Sequence, residues 1–220
     1  MLVGWDSLET PTYRHEALPG YQAGREFDAA LLEQLGVLPE LVEAFGFAVA
    51  KAPGYEADDF LAAAATRSEG PVLVATSDRD AFQLVSDRVT ILQPVKGVSE
   101  LARIGPAEVR ERYGVEPEQV PDFIALRGDS SDRIPGAPGV GPKKAADVLR
   151  QYGTLEAALA AGRFAPFADD LRLYRRIAQM DADAPLPPLA DQEPDWARAA
   201  KKAAELGLGA LAGRLGERAA

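Results

Sequence analysis

The chain has 220 residues, of which 47% are hydrophobic and 26% are charged, a balance that excludes an intrinsically disordered or fibrous protein. It has no cysteine and one histidine, His15, which excludes disulfides, zinc-thiolate and iron–sulfur sites, thiol nucleophiles and His-rich metal sites. With 34 Asp and Glu against 24 Lys and Arg, and a net charge of -10, the side chains left for chemistry are carboxylates.

The first 97 residues alternate between predicted strands and helices. Apolar strands are expected at residues 1–6, 47–50, 71–76 and 89–93. Residues 14–28 read as a polar loop, residues 29–45 as two helices separated near Gly36 and Pro39, and residues 56–67 and 81–85 as helices. This alternation predicts an α/β fold with a mostly parallel sheet and helices on both faces.

After residue 97 the pattern is helical only. Helices are predicted at residues 106–113, 117–126, 143–152 and 155–160, followed by a proline-rich linker and a terminal helix or helix pair over residues 196–218. We therefore predict three parts. They are an α/β core at 1–97, a helical module at 98–180, and a linker with C-terminal helices at 181–220 that packs back on the core.

The acidic excess lies mainly in the first part, because residues 1–97 carry 15 acidic and 7 basic side chains whereas residues 98–180 carry 12 of each. This charge argues against a simple electrostatic nucleic-acid binder, although bound divalent cations would offset it. No apolar run approaches the roughly 20 residues of a membrane helix, and the first residues lack a signal-peptide pattern. We expect a cytoplasmic protein without a membrane partner.

Acidic residues follow the predicted strands, at the edge where an open parallel sheet binds ligands. A further pair lies in the Gly-containing segment at residues 127–133. The candidate metal ligands are Asp6, Glu56, Asp58, Asp59, Asp78, Asp80, Asp129 and Asp132. If these carboxylates converge they repel unless a cation lies between them, and Mg²⁺ or Mn²⁺ suits oxygen ligands. Two such ions can clamp the attacking and leaving oxygens of a phosphodiester displacement.

Each acid taken alone is explained better by helix capping or by the helix dipole than by metal binding. The pair Asp78 and Asp80, directly after a strand, also fits a phosphatase-type site. The joint placement of the acids favours the metal site.

The glycine-rich and proline-rich segment at residues 134–145 predicts a helical hairpin. Gly139-Val140-Gly141 lets the backbone approach a ligand at the start of a helix, with lysines beside it, an arrangement that binds phosphate without reading bases. The alternative is a plain turn. The candidate DNA-backbone contacts are Gly136, Gly139, Val140, Gly141, Lys143 and Lys144.

These segments together resemble the 5′-nuclease family, which comprises flap endonucleases and the 5′-3′ exonuclease domains that occur alone or at the front of bacterial DNA polymerase I. The matching segments, in order, are YRHE at 13–16, GYQAGR at 20–25, GYEADD at 54–59, TSDRD at 76–80, LRGDSSD at 126–132 and the glycine hairpin. They cover about residues 1–180.

The resemblance implies a PIN-like nuclease core with a helix-three-turn-helix module. It implies hydrolysis of DNA near a 5′ end or flap, in primer or flap removal during replication and repair, with two Mg²⁺ or Mn²⁺ ions held by the acids named above and K⁺ at the hairpin. The implied partners are 5′-flap, nicked or gapped DNA and a separate DNA polymerase, and the protein is expected to be a monomer.

The resemblance also assigns catalytic roles to Tyr21, Gln22 and Arg25. The family motif usually reads Tyr-Lys-x-x-Arg, so Gln22 stands where the family has a lysine that holds the scissile phosphate. Arg25 would neutralise charge in the transition state, although its residue type fits a surface guanidinium equally. Tyr21 would stack on a base or pack on the core. His15 is expected to be a surface or hydrogen-bonding residue and not a ligand.

Two alternatives remain open. Family members carry a further strand with a metal-site aspartate ahead of the position of Met1. Without that strand, and with Gln22, the protein would be a catalytically impaired protein that binds flap or junction DNA. A PIN-type ribonuclease is disfavoured, because such domains are usually small and lack the helical hairpin module.

Overall fold

The computed structural model describes residues 1–7, 10–24 and 26–220. The strands are β1 (Leu2–Gly4), β2 (Ala48–Ala50), β3 (Val72–Ala75), β4 (Val89–Lys96) and β5 (Glu100–Ile104). The helices are α1 (Tyr13–Ala17), α2 (Ala29–Ala44), α3 (Ala57–Arg67), α4 (Pro106–Tyr113), α5 (Val120–Arg127), α6 (Pro142–Tyr152), α7 (Leu155–Ala160), α8 (Ala168–Ala178), α9 (Trp196–Glu205) and α10 (Gly209–Ala219).

The strands form two sheets. β1 pairs in parallel with β2, with Val3 opposite Val49, and β3 pairs in parallel with β4, with Leu73 opposite Thr90. β5 adds to β4 in the antiparallel direction. The mostly parallel α/β fold is confirmed, but the strands do not form one sheet: within the described ranges no pairing joins β1 to β3.

Two predicted elements near the start of the chain are wrong. Residues 14–28, expected to be a loop, begin within α1. The segment with Gly36 and Pro39 is one helix of 16 residues and not two. A proline removes only one backbone donor, and tertiary packing offsets this loss because Leu41 of α2 lies in a buried cluster with Ala199 of α9.

Two further elements lie where the sequence did not predict them. β5 continues the sheet beyond residue 97, since Ile104 pairs beside Ile91 and both side chains are fully buried. The helix α8 was not predicted, yet it buries Leu171, Ile177 and Ala178. The boundary expected at residue 97 therefore cuts through a strand hairpin.

The sheet and the helical module share one hydrophobic core. Ile91 of β4, and Phe82 between β3 and β4, belong to the same buried cluster as Phe123 of α5 and Leu149 of α6. A separate cluster joins α2 to α9 and α10. The three-part division stays a prediction, and the shared cluster shows that the helical module packs directly against the sheet of β3, β4 and β5.

Within the described ranges, no helix combines the length and apolar character of a membrane span.

Candidate active site

Most of the predicted acids meet in two adjoining cavities beyond the carboxyl ends of β1 and β3. The larger has a volume of about 600 Å³ and the smaller a volume of about 30 Å³. The predicted ligands that line one or both cavities are Asp6, Glu56, Asp58, Asp78, Asp80 and Asp132. The fold thus brings together carboxylates from four separate segments of the chain.

A close backbone contact places Asp6 beside the start of α3. A Cβ atom on Gly4 would lie 2.5 Å from the carbonyl oxygen of Ala57, so only glycine lets β1 approach the helix this closely. The Asp6 carboxylate accepts a hydrogen bond of 2.7 Å from the Ala57 N–H, the first residue of the helix. The helix N-terminus therefore stabilises the Asp6 carboxylate on the rim of the cavity.

Burial and mutual repulsion perturb two of these carboxylates. Burial, together with the neighbouring charges of Asp78 and Asp6, raises the pKa of Asp58 to about 7. Burial, together with the charges of Asp78 and Asp129, raises the pKa of Asp80 to about 8. Raised carboxyl pKa values of this kind are typical of a functional site. A cation bound there would favour the ionised forms of Asp58 and Asp80.

The donor set suits a hard divalent cation. The candidate ligands are all Asp or Glu side chains, and they would bind an ion through carboxylate oxygens, the donors that Mg²⁺ and Mn²⁺ prefer. In the part of the chain that the structure describes, no three Asp, Glu or His side chains are grouped so that they could hold an ion by themselves. Because Mg²⁺ commonly binds through one or two carboxylates plus waters and substrate phosphates, the residues fit a hydrated ion that shares its ligands with a phosphate.

Asp59 does not line either cavity, and its role as a metal ligand stays a prediction. The side chain is fully buried and accepts hydrogen bonds of 2.8 and 2.7 Å from the two terminal nitrogens of Arg14. The N–H of Asp181 donates to the same carboxylate at 2.9 Å. The sequence correctly predicted that Asp59 lies on a helix with Asp58. Because Asp59 is buried, however, its carboxylate oxygens accept hydrogen bonds from Arg14 and Asp181 and face away from the solvent.

Arg14 is the residue that sequence reasoning missed. Only 3% of it is exposed, and besides its pair with Asp59 it donates from Nε to the carbonyl oxygen of Ile177 at 2.9 Å. Its Nη1 lies 3.4 Å from Oε2 of Glu56. Arg14 therefore joins α1, α3 and α8 at the wall of the smaller cavity. Arg14 belongs to the YRHE segment that carries the family resemblance. Because this segment was expected to be a loop, nothing in the sequence predicted that the Arg14 side chain would be buried.

Besides Arg14, two neutral hydroxyl donors hold Glu56. The Tyr21 hydroxyl donates to its Oε2 at 3.1 Å, and the Thr12 hydroxyl donates to its Oε1 at 3.2 Å. Thr12 also lies 2.8 Å from Nδ1 of His15, so the histidine forms the hydrogen bond expected of it. These contacts fix the direction in which Glu56 faces the cavity.

Tyr21 cannot stack on a base in this structure, because only 3% of the residue is exposed. The alternative of core packing is the one observed. Burial, with the charges of Glu56 and Asp132 added, raises the pKa of Tyr21 above its usual value. The hydroxyl therefore stays protonated and serves as a hydrogen-bond donor.

Gln22 lies at the junction of the two cavities and lines both. Its side-chain amide donates to the Tyr21 hydroxyl and to Oδ1 of Asp132, each at 2.9 Å. Its backbone has φ of +47°, a left-handed conformation that directs the loop across the site. The third candidate in this loop, Arg25, lies outside the described residues.

Asp129 borders the acid cluster without lining the cavities. Arg127 donates to its Oδ2 at 2.9 Å, and the N–H of Ser131 donates to its Oδ1 at 2.9 Å. Two backbone hydrogen bonds, of 2.8 and 2.7 Å, join Asp129 to Ile134. The loop that carries Asp129 and Asp132 is thereby closed at the start of the glycine hairpin.

Some of the predicted hairpin residues are packed inside the fold, and the others are exposed. Val140 is 6% exposed, and Gly136 has no space for a side chain, since its Cβ atom would lie 2.4 Å from the nitrogen of Gly128. Gly141 caps α6. Gly136 and Val140 therefore shape the turn rather than offer side chains to a ligand.

The other hairpin residues form an exposed surface. Gly139, Lys143 and Lys144 are exposed, and Lys144 Nζ lies 3.4 Å from the Gly139 carbonyl oxygen. Two lysines at the start of α6, where the helix dipole is positive, provide a surface that attracts phosphate.

The sequence is similar to known exonuclease domains and to bacterial DNA polymerases. The family model for the N-terminal resolvase-like domain of 5′-3′ exonuclease matches residues 1–114, and the model for its C-terminal SAM fold matches residues 115–199. The chain is 50% identical to DNA polymerase I of Mycobacterium tuberculosis (strain ATCC 25618 / H37Rv) over 148 residues, which is 66% of this chain and 16% of that protein. It is 40% identical to the thermostable DNA polymerase I of Thermus aquaticus over 199 residues, which is 84% of this chain and 23% of that protein. The chain thus spans less than a quarter of the length of these relatives.

Solved structures share the PIN-like fold. A mutant of T5 5′-exonuclease aligns with 100% of this chain and 84% of its own, with a TM-score of 0.61 and 20% identity. The catalytic core of Rad2, solved with a DNA substrate, aligns with 94% of this chain and 74% of its own, with a TM-score of 0.55 and 15% identity. The T5 protein has also been solved with zinc ions, and with DNA and metal ions.

Proposed function

Because the chain belongs to the 5′-3′ exonuclease family, we propose that it hydrolyses DNA phosphodiesters at 5′ ends and 5′ flaps with two bound divalent metal ions. The observation that carries this proposal is the meeting of six carboxylates at the carboxyl ends of β1 and β3. The raised pKa values of Asp58 and Asp80 show that ionising this cluster of acids is costly unless cations lie beside it. Removal of 5′ flaps and RNA primers during replication and repair, beside a separate DNA polymerase, is the corresponding cellular role.

The ions would be Mg²⁺ or Mn²⁺, held by the acids that line the cavities. When bound, such ions supply a deprotonated water at neutral pH and stabilise the leaving oxygen of the phosphodiester. Asp58 and Asp80 would lose protons on binding, because their pKa values of about 7 and about 8 keep a large share of each protonated at neutral pH. K⁺ held by backbone carbonyls of the hairpin is part of the same proposal.

The chain's own residues would position the DNA. Gln22, at the junction of the two cavities, offers an amide donor to a phosphate oxygen but brings no positive charge. Arg25 would supply that charge in the transition state. The exposed Lys143 and Lys144 would hold the duplex backbone. The Asp129–Ile134 hydrogen bonds fix this hairpin relative to the acid cluster, so DNA gripped at one is held in register with the other.

A flap-binding protein with impaired catalysis is the second candidate, favoured by two observations. β1 and β3 are not paired in the described residues, so the acids that follow them are held by separate sheets. Gln22, in addition, is neutral where the family motif has lysine. Both features weaken the electrostatic stabilisation of a cleavage transition state more than they weaken DNA binding.

The test is cleavage of a 5′-labelled flap duplex with Mg²⁺ or Mn²⁺, comparing Asp78→Ala with Asp87→Ala. Both aspartates are exposed, but only Asp78 lines the cavities. Hydrolysis that falls about a hundredfold or more in Asp78→Ala and stays unchanged in Asp87→Ala supports the nuclease.

Other outcomes point elsewhere. Tight flap binding without cleavage under either ion supports the impaired protein. Cleavage of single-stranded RNA but not of flap DNA supports a PIN-type ribonuclease. Circular dichroism of both variants confirms that they fold.

A further inference from the structure

Arg133 lies against the loop of residues 20–24, which carries Gln22. The N–H of Gln22 donates to the carbonyl oxygen of Asp132 at 3.2 Å, so this loop is hydrogen-bonded to the residue that precedes Arg133. A Cβ atom on Gly24 would lie 3.1 Å from Nη2 of Arg133. The guanidinium of Arg133 therefore lies beside Gly24, which is one of the residues that line the larger cavity.

The backbone of Arg133 has an unusual conformation for a residue with a side chain. Its φ is +57°, in the left-handed region that residues other than glycine rarely adopt. Both of its neighbours are held in place, because Asp132 lines the smaller cavity and Ile134 is buried and hydrogen-bonded to Asp129. Between these two residues, the Arg133 side chain leaves the core and reaches Gly24 at the surface.

Arg133 is a free cation beside a cluster of acids. Among the residues that the structure describes, its guanidinium forms no ion pair and no hydrogen bond. Six carboxylates line the two cavities, and in the described ranges Arg14 is the one arginine or lysine that does so. Because Arg14 is buried and paired with Asp59, it is not available to a ligand. Positive charge for an anion in the larger cavity must therefore come from bound cations or from the rim, where Arg133 lies.

We propose that Arg133 binds a phosphate group of a single DNA strand that crosses the rim of the larger cavity at Gly24. This inference rests on the proposed nuclease function, which brings a polyanion to the acids. A guanidinium binds phosphate through two parallel N–H donors, and Arg133 can do so without first breaking an ion pair. Gln22 lines the same cavity with an uncharged amide, so Arg133 adds the positive charge that Gln22 lacks.

Phe27 favours a single strand at this rim over a duplex. Its side chain is 45% exposed and lines the larger cavity, as Gly24 does. The ring offers a stacking surface to an unpaired base, whereas the bases of a duplex are already stacked on one another. A phosphate contact from Arg133 and a base contact from Phe27 would together hold one nucleotide of the strand.

The first test measures affinity for a 5′-flap duplex by fluorescence anisotropy, with Ca²⁺ in place of Mg²⁺ to slow cleavage. Arg133→Gln should weaken binding about tenfold, because it removes a charge-assisted contact. It should also reduce the slope of log K against log salt concentration by about 0.7 in magnitude, the value for one phosphate of a single strand. Arg133→Lys keeps the charge and should restore the slope but only part of the affinity. Arg214→Gln, which removes an exposed arginine of α10, should change neither quantity.

The second test identifies the phosphate that Arg133 contacts. Uncharged methylphosphonate linkages are placed one at a time along the 5′ strand of the flap. At one position the replacement should weaken binding about tenfold in the unsubstituted protein but about twofold or less in Arg133→Gln, because that variant has already lost the contact. Melting temperatures followed by circular dichroism show whether each variant is folded.

Three results would overturn the proposal. They are an unchanged affinity and salt slope in Arg133→Gln, equal salt slopes in Arg133→Gln and Arg133→Lys, and methylphosphonate effects that are the same with and without Arg133. Each of them leaves the nuclease proposal intact, because Asp78→Ala tests that proposal separately. If the unsubstituted protein neither binds nor cleaves flap DNA, both proposals fail.

Discussion

Gly136 and Gly128 lie backbone against backbone, so close that a Cβ atom on Gly136 would be 2.4 Å from the Gly128 nitrogen and 2.8 Å from its Cα. Both residues have φ in the left-handed region, at +74° and +78°. The contact joins the end of α5 to the glycine hairpin and encloses the loop that carries Asp129 and Asp132. The proposed DNA grip and part of the acid cluster thus depend on one contact that no side chain can replace.

Gly136→Ala should lower the free energy of unfolding by about 2 to 4 kcal/mol, because the added methyl group meets backbone and the φ angle is unfavourable. Gly139→Ala is the control, since Gly139 has a similar φ of +70° with nothing within 4 Å of its Cβ position. Gly139→Ala should lower the free energy of unfolding by about 1 to 2 kcal/mol, the cost of the left-handed backbone conformation without any steric clash. Urea unfolding followed by circular dichroism measures both, and equal costs would contradict the importance of the contact.

Arg14→Met should destabilise the fold by about 3 to 5 kcal/mol, because it leaves the fully buried Asp59 carboxylate without its cation. The exposed pair of Arg150 and Asp147 is the comparison, and Arg150→Met should change stability by about 0.5 kcal/mol or less. Thermal unfolding of the two variants measures the difference. A small effect of Arg14→Met would show that the ion pair does not hold α1, α3 and α8 together.

The metal-free protein should lose stability as the pH rises. The pKa values of Asp58 and Asp80, about 7 and about 8, lie above the usual 3.8. A carboxyl with a raised folded-state pKa contributes stability that is present below its unfolded pKa and is lost as the pH rises through its folded pKa. The melting temperature in EDTA should therefore fall between about pH 4 and pH 8.

Asp80→Asn should reduce this pH dependence and make the metal-free protein about 1 to 3 kcal/mol more stable at pH 8. Asp87→Asn, at an exposed position away from the cavities, should leave it unchanged. Added Mg²⁺ should raise the melting temperature of the unsubstituted protein at pH 8 more than at pH 5. A melting temperature that rises with pH in EDTA would contradict the direction of both shifts.

Replacement of Lys143 and Lys144 by glutamine should weaken duplex DNA binding without changing sequence preference. If each lysine neutralises one phosphate, the slope of log K against log salt concentration should decrease in magnitude by about 2. The matched control replaces Lys201 and Lys202 of α9, another adjacent pair, and should leave the slope unchanged. Fluorescence anisotropy across a salt series provides the measurement, and an equal change in both variants would remove the hairpin from the proposed interface.

Local sequence pattern was sufficient for much of the fold. The limits of α4 and α7 agree with the prediction. Their ends are marked in the sequence by Gly105, Pro106 and Gly114 for α4 and by Thr154 for α7. The interruption expected in α2 was wrong because the penalty of Pro39 is local whereas packing against α9 acts along the helix. β5 was missed because its strand character depends on pairing with β4.

Residue composition and order were enough to tell which functional groups the protein offers: oxygen ligands without thiols, acids placed after strands, and lysines beside a glycine turn. These properties follow from residue type and short-range spacing. Which of the acids face a common cavity follows only from long-range packing. This packing assigned Asp59 to Arg14, buried Tyr21 and divided the strands into two sheets. Such outcomes depend on burial and on partners distant in the chain, and the pattern around a single residue does not specify these partners.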